Sequence, residues 1–367
     1  MNELQGGAGH PAPRHLVQMG WNEDVAAAFE RVADAMDVPA RVIAVHRNRV
    51  VTATEAGECD ATLDPRLLAA AAAERPSTGD WVALRQEPSG ISARVRTVVP
   101  RRTAFIRRAA GGKAVAQVVA ANVDRVLVVT AVPHDVNERR LERYLALAWE
   151  SGALPTVVVT KCDLVADVDA YMTRIRSVAP GVDVVAVSAL RDDGVAALRS
   201  LIGTGTTIAL LGSSGVGKST LVNRLAGHEL MRTAPVDGDG RGRHTTTHRE
   251  LMRLGNGVLV IDTPGMREMQ LWSADAGLEL VFDDISSLGA SCRFGDCHHE
   301  REPGCAVNEA VAQGALSPER LASWRKLGRE VARAQRASDA VASTAERAKL
   351  RAFMRSVRAQ ARTRNDR

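Results

Sequence analysis

Thr207-Ile-Ala-Leu-Leu-Gly-Ser-Ser-Gly-Val-Gly-Lys-Ser-Thr220 is the stretch on which the fold turns. Its first five residues form a continuous apolar run of strand length, and a helical pattern begins after Gly217. Between them, Gly212-Ser213-Ser214-Gly215-Val216-Gly217-Lys218-Ser219 fits the spacing G-x-x-x-x-G-K-[ST]. Such glycines let successive backbone N–H groups turn inward around phosphate oxygens, and the helix N-terminus adds partial positive charge. Lys218 is then placed for the β- and γ-phosphates, and the Ser219 hydroxyl, followed by Thr220, for Mg2+.

The same texture continues on both sides. Asp124–Ala131, Pro155–Thr160, Asp183–Val187 and Val258–Ile261 read as buried strands, and Glu138–Glu150 and Val168–Val178 as helices between them. Near-continuous apolar strands alternating with helices predict a doubly wound sheet covered on both faces. Asp262-Thr-Pro-Gly265 ends the last strand, where a carboxylate can hold Mg2+ through water and Gly265 admits backbone close to a γ-phosphate. Arg232 to Thr247, rich in Gly, Asp and Arg, is too polar to pack and reads as a mobile loop. At its end, within Arg243-His244-Thr245-Thr246-Thr247, Thr246 is placed to close on Mg2+ and γ-phosphate as a nucleotide-dependent switch.

Upstream, Thr160-Lys161-Cys162-Asp163 follows a buried strand and resembles the guanine-reading N-K-x-D motif of GTPases, with Thr in place of Asn. Asp163 can accept from both N1–H and the exocyclic amine of guanine, a donor pair that adenine lacks. The Lys161 stem covers the base, and Val187-Ser188-Ala189-Leu190 resembles the companion S-A-x loop whose backbone approaches guanine O6. Replacing Asn by Thr160 predicts slightly looser support of the neighbouring loop. Arg outnumbers Lys 43 to 5, and two of those lysines are Lys161 and Lys218. The base-reading elements precede the phosphate loop, the reverse of the ordinary order, so the domain reads as circularly permuted. Permutation is tolerated where the original termini lie close together.

Outside this domain the texture differs. The chain has 367 residues, enough for two or three domains. Residues 1–20 are rich in Gly and Pro, and Glu23–Met36 reads as an amphipathic helix. Ala40 to Arg107 holds short β-type runs (Val42–Val45, Arg49–Thr52, Trp81–Leu84, Ile91–Val95), with Leu67–Glu74 read as helical. A small β-barrel is expected, with an OB-fold leading and a sandwich or SH3-like barrel as alternatives. Near the other end, Cys292, Cys297 and Cys305 with His298-His299 follow C-x4-C-x-H-x5-C, a closed set of three thiolates and one imidazole suited to structural Zn2+. Cys59 and Cys162 are read as free thiols.

An N-terminal barrel, a permuted order and this Cys/His cluster together resemble the RsgA family, over about residues 20 to 335. The resemblance implies an N-terminal all-β OB-fold barrel, a central α/β P-loop GTPase domain and a C-terminal α-helical zinc-binding domain. It selects His299 over His298 as the fourth ligand. It also implies binding of the small ribosomal subunit and its rRNA near the decoding region, GTP and GDP as ligands, Mg2+ with GTP, and hydrolysis stimulated by the subunit. The expected division is an extension with a short helix (1–37), OB-fold (38–108), permuted GTPase domain (115–285), zinc-binding domain (286–335) and basic tail (336–367). Met266 stands where many GTPases carry a water-orienting glutamine, which predicts slow intrinsic hydrolysis. His244 is the internal candidate for positioning water, against a plain loop or RNA-contacting histidine.

Charge and composition bound the partners. The net charge of +5 conceals a net +9 in Arg325–Arg367 and a mildly acidic remainder. That tail, with Arg329, Arg333, Arg336, Arg347, Arg351, Arg355 and Arg358, suits phosphate contacts. Arg47, Arg49, Arg101, Arg102, Arg107 and Arg108 offer a second basic patch in the barrel region. Only 3% of residues are aromatic, so recognition through RNA shape and backbone is expected over base stacking. No apolar run reaches about 18 residues and residues 1–14 lack a secretory signal, so a cytoplasmic protein without a membrane partner is expected; it is read as a monomer. Two other readings compete with a subunit-stimulated GTPase: a GTP-gated RNA-binding module with incidental hydrolysis, and a P-loop kinase or ATPase with an accidental T-K-C-D.

Overall fold

The computed structural model describes residues 14–87, 92–108, 116–231, 250–262 and 275–336. The chain divides into two compact units, Met1–Ile106 with Val118–Glu268, and Arg107–Gln117 with Met269–Arg367.

The first unit opens with a five-stranded closed barrel. Its strands are β1 (Val38–Val45), β2 (Arg49–Thr54), β3 (Gly57–Leu63), β4 (Trp81–Gln86) and β5 (Ala93–Val98). They run in the order β1-β2-β3-β5-β4, with β4 pairing back to β1 to close the ring, the OB arrangement. Val42, Val50, Leu63, Val82, Leu84 and Val95 fill the interior. β3 escaped the sequence reading because Gly57-Glu-Cys-Asp-Ala-Thr-Leu63 is mostly polar and turns only Ala61 and Leu63 fully inward.

Two helices are shorter than their periodicity suggests. Glu23–Glu30 stops well before Met36 because the Asp34 N–H is taken by the Asp37 carboxylate at 3.0 Å. Both acids also pair with Arg85, at 3.1 and 2.7 Å. Side-chain acceptors that bond nearby backbone compete with helix in this way. Pro65–Ala69 is N-capped by Asp64 and ends where the Arg75 guanidinium takes the Leu68 and Ala70 carbonyls, at 2.7 and 3.2 Å. The expected helical continuation to Glu74 therefore does not form.

After a two-stranded ribbon, β6 (Ala104–Arg108) with β7 (Ala116–Ala121), the α/β sheet begins. Its strands are β8 (Arg125–Ala131), β9 (Leu154–Thr160), β10 (Asp183–Ala186), β11 (Thr207–Leu211), β12 (Glu250–Arg253) and β13 (Leu259–Asp262). Their order is β10-β9-β8-β11-β13-β12, parallel except for β12. The chain runs outward from β8 through β9 to β10, then returns to lay β11 on the other side of β8. That reversal makes a switch point between β8 and β11, where ligands of open α/β sheets bind beyond the strand C-termini. Leu127, Val129, Val158, Ile208, Leu221, Val222 and Val260 form the core beneath it.

Barrel and sheet are joined within this unit by a β1–β12 pairing, Ala44 opposite Glu250, and by one buried cation. Arg41 interrupts the apolar run of β1 and is only 2% exposed. Its Nη2 donates to the Asn122 carbonyl at 3.2 Å and to Thr207 Oγ1 at 2.9 Å, and its Nη1 to the Met19 carbonyl. Nε reaches the Gly79 carbonyl at 3.4 Å, and the guanidinium stands 5.2 Å from the Trp81 ring. Burial lowers the Arg41 pKa to about 10, which leaves it charged at neutral pH. A buried charge is tolerable only when its donors are satisfied so fully. Gly79 is obligatory beside it: a Cβ there would overlap the Ala121 carbonyl oxygen and lie 2.7 Å from Ile261 Cδ1.

The described C-terminal part of the second unit is helical: Asp275–Val281, Asp283–Gly289, Ala306–Ala312 and 318–336. Phe282, Ile285, Val307, Leu321, Leu327 and Val331 are buried in it. Arg320 clasps two helices, pairing with Asp284 at 2.6 Å and standing 4.9 Å from the Phe282 ring.

Candidate nucleotide site and metal loop

Gly212–Lys218 wraps the C-terminal end of β11 and opens the helix Lys218–Ala226. Gly212, Gly215 and Gly217 all have positive φ (151°, 77° and 94°), so the loop needs residues that L side chains rarely replace. At Gly212 the restriction is also steric, since a Cβ would overlap the Val129 carbonyl oxygen of β8. Lys218 Nζ donates to the Gly212 and Ser213 carbonyls, at 2.8 and 2.5 Å. These bonds hold the ammonium over the loop, where it can exchange carbonyl oxygens for phosphate oxygens.

The upstream motif meets this loop directly. Thr160, buried at the end of β9, has its Oγ1 2.5 Å from the Val216 carbonyl and 3.1 Å from the Thr130 carbonyl. Thr160 thus contacts the phosphate loop directly. Lys161 takes left-handed backbone at φ 59°, and Cys162 N–H reaches the Val187 carbonyl at 3.4 Å. Asp163 Oδ1 accepts from Ser188 Oγ at 2.6 Å, and Ser188 Oγ in turn accepts from Arg191 N–H at 3.2 Å. The carboxylate is thereby aimed by a buried hydroxyl while remaining half-exposed. Burial raises the Cys162 thiol above its ordinary value, as suits an unreactive thiol that bonds the Val159 carbonyl at 3.2 Å. Ala189 follows at the rim, half-buried.

Asp262 ends β13, one residue beyond the Ala209–Ile261 pair, and so flanks the β11 loop. Ser213, Ser214, Ser219 and Thr220 lie in the loop and the first turn of its helix. His244, Thr246, Gly265, Met266 and the loop Arg232–Thr247 lie outside the described residues. So do Arg347 to Arg358 of the tail.

Sequence reasoning missed the loop that follows β8. Thr130 Oγ1 donates to the Asp135 carbonyl at 3.0 Å, and Arg140 pairs with the Asp135 carboxylate at 2.7 Å. Arg140 and Thr130 thus both hold Asp135, and the Thr160 hydroxyl lies within reach of the Thr130 and Val216 carbonyls. The signal was the placement of this loop at a switch point, not any motif. Half of the proposed barrel patch is also differently employed. Arg101 forms a bidentate pair with buried Asp80 at 2.8 Å, Arg102 pairs with Asp124 at 2.7 Å, and Arg107 reaches Gln117 at 3.2 Å. Burial pushes the Asp80 carboxyl up, against the pull of Arg101. Arg47 and Arg49 are exposed, and the Arg108 side chain lies outside the described set.

In the helical unit, ligand atoms of Cys292, Cys297, His299 and Cys305 lie within 4.8 Å of one another. His299 Nδ1 is 3.5 Å from both Cys292 and Cys305 sulfurs, which are 3.9 Å apart. A tetrahedral ion with metal–sulfur bonds of about 2.3 Å and a metal–nitrogen bond of about 2.0–2.1 Å requires edges of about 3.8 and 3.6 Å, so the donor set fits. Burial lowers the His299 pKa, favouring the neutral imidazole a ligand needs. His299 is buried and lies against Trp324 at 5.3 Å. His298 instead is exposed, its N–H on Glu302 at 3.0 Å. The geometry therefore brings His299, and not His298, to the sulfurs.

A family model described as RsgA GTPase matches residues 98–272. The small ribosomal subunit biogenesis GTPase RsgA of Opitutus terrae is 45% identical over 359 residues, covering 95% of this chain and 98% of that protein. The chain belongs to the RsgA family. Another RsgA family member, from Streptomyces coelicolor, is 44% identical over 337 residues, with 89% of each chain covered. The crystal structure of YjeQ from Thermotoga maritima superposes with a TM-score of 0.60 at 25% identity, covering 80% of this chain and 98% of that one. The fold of YloQ, a circularly permuted GTPase, matches with a TM-score of 0.57 at 22% identity, covering 81% and 96%. The RsgA family thus accounts for the barrel, the order of the nucleotide motifs and the Cys/His loop in one chain. Among the described residues, no helix is long and apolar enough to cross a membrane.

Proposed function

We propose that this protein is a GTP hydrolase that binds the small ribosomal subunit and couples hydrolysis to late maturation of that subunit and to its own release. The observation that carries this reading is the convergence of Asp163, Ser188, Thr160, Lys218 and Asp262 on one sheet edge. Base and phosphate groups of one guanine nucleotide can be met there together. Asp163, aimed by Ser188, discriminates guanine through two acceptor contacts that adenine would leave unpaired. Gly212 to Thr220 hold the phosphates, and Lys218 exchanges its loop carbonyls for β- and γ-oxygens. Ser219, Asp262, Thr246 and Gly265 are the residues that would surround Mg2+, whose charge offsets that developing on the phosphates. Lys161, Cys162 and Ala189 complete the base pocket. His244 is the internal candidate for orienting water, and Met266 keeps unstimulated turnover slow.

The Cys292–Cys297–His299–Cys305 set is read as one structural Zn2+ site, since four protein donors leave no open position for substrate. The working division remains 1–37, 38–108, 115–285, 286–335 and 336–367, and the protein is read as a cytoplasmic monomer. Co-sedimentation with purified small subunits tests the binding half of this reading. More protein should travel with the subunit in a non-hydrolysable GTP analogue than in GDP. Equal sedimentation in both nucleotides contradicts nucleotide-timed release.

A further inference from the structure

Phe294 is the exception in a chain poor in aromatics. It is 42% exposed, while every other described aromatic side chain is buried or half-buried. It stands at the tip of Arg293-Phe294-Gly295-Asp296, between the paired ligands Cys292 and Cys297. The Arg293 guanidinium lies 5.5 Å from the ring centroid. Arg293 is itself held: its N–H donates to the Gly304 carbonyl at 3.1 Å, and a Cβ on Gly304 would come 3.1 Å from Arg293 Cβ. Cys297 N–H closes the turn on the Phe294 carbonyl at 3.3 Å. The ring is therefore displayed on a tight loop, and little further ordering is required on contact.

The same unit carries a second feature. Lys326, Arg329, Arg333 and Arg336 are all exposed on the helix 318–336. Their spacing of three, four and three residues places them on one face, opposite buried Leu327 and Val331. Trp324, from the first half of this helix, lies against His299, so the helix packs on the metal loop. A row of cations fits a chain of phosphates. A displayed aromatic flanked by a guanidinium fits the face of an unpaired base, which stacks on either plane. An apolar protein side chain would instead have to desolvate Arg293 without compensation.

We propose that Arg293 and Phe294 form a stacking platform for an unpaired base of structured RNA, with the 318–336 cations on the neighbouring phosphates. The proposal deepens the ribosomal reading and rests on it. It also revises the expectation that scarce aromatics leave this protein only shape and backbone contacts.

The test compares full-length wild type with Phe294→Ala, Phe294→Leu and Phe294→Trp in binding to intact small subunits and to protein-free small-subunit rRNA. Metal content and GTP affinity are measured on each variant. Phe294→Ala and Phe294→Leu should weaken both interactions about tenfold, the scale of one stacked base, while Phe294→Trp binds as wild type. Metal content and GTP affinity should not change. Full binding by Phe294→Leu overturns the platform in favour of a plain apolar contact. A loss seen on intact subunits but not on protein-free rRNA assigns the contact to a ribosomal protein and likewise overturns it. If wild type fails to bind subunits but stacks on the rRNA, the ribosomal reading fails while the platform stands.

Discussion

The nucleotide edge and the metal loop solve the same problem, holding a few side chains in fixed geometry, by opposite means. At the nucleotide edge, order comes from the sheet. β8, β9, β11 and β13 end side by side, and the Thr160 hydroxyl at the end of β9 lies within reach of the Thr130 carbonyl of β8 and the Val216 carbonyl of the phosphate loop. Close packing is already present there, as the crowding of Gly212 against Val129 shows. In the metal loop, Ser291 to Cys305 contains no helix or strand, and His299 sits in left-handed backbone at φ 59°. Its three thiols and one imidazole converge without a ladder of backbone bonds behind them. The first site is preformed by folding; the second offers the donors that a metal ion would complete.

Removing that ion should separate the two regions most sharply. Structural zinc in small modules is worth about 10–16 kcal/mol of folding free energy. Chelation, or Cys305→Ser, should make the segment after Met269 protease-sensitive and abolish subunit binding. GTP affinity should stay within about twofold, because no ligand lies in the sheet. Comparable loss of GTP binding would show that the nucleotide edge also depends on the metal.

At the nucleotide edge the largest effect is expected from Gly212→Ala. It places a Cβ against the Val129 carbonyl and forces an unfavourable φ, costing about 3 kcal/mol or more and at least 100-fold in GTP affinity by equilibrium binding. Asp163→Ala should next lower GTP affinity by about two orders of magnitude and erase preference over ATP in competition, with thermal stability nearly unchanged. Arg41→Met probes the joint between barrel and sheet. It strips partners from the buried Met19, Gly79 and Asn122 carbonyls and from Thr207, so unfolding free energy should fall by about 3 kcal/mol in denaturant titration. Thr160→Val should be mildest, removing one bond to the phosphate loop for about 1 kcal/mol, or roughly fivefold in GTP affinity.

The same contrast explains what the sequence disclosed. Strands such as Thr207–Leu211 stand where their pattern places them because burial on both faces leaves an unmistakable apolar run, and the capped helix Glu138–Glu150 because its apolar residues recur at helical spacing. The Cys/His spacing was legible because ligand chemistry restricts residue type. β3 was not legible, since a strand with one mostly solvated face and a cysteine at its centre has no strong period. Helix ends differ from their periodicity where a side chain takes the backbone groups the next turn would use, as Arg75 does at Leu68 and Ala70 and Asp37 does at Asp34. Arg41 was the least visible of all: a charge in an apolar strand is meaningful only once its partners at Met19, Asn122 and Thr207 are seen together.

GTP turnover measured with and without purified small ribosomal subunits tests the central claim most directly. Slow turnover by the protein alone, accelerated by the subunit and lost again in Asp163→Ala, is the predicted result. Turnover unchanged by saturating subunits would contradict it.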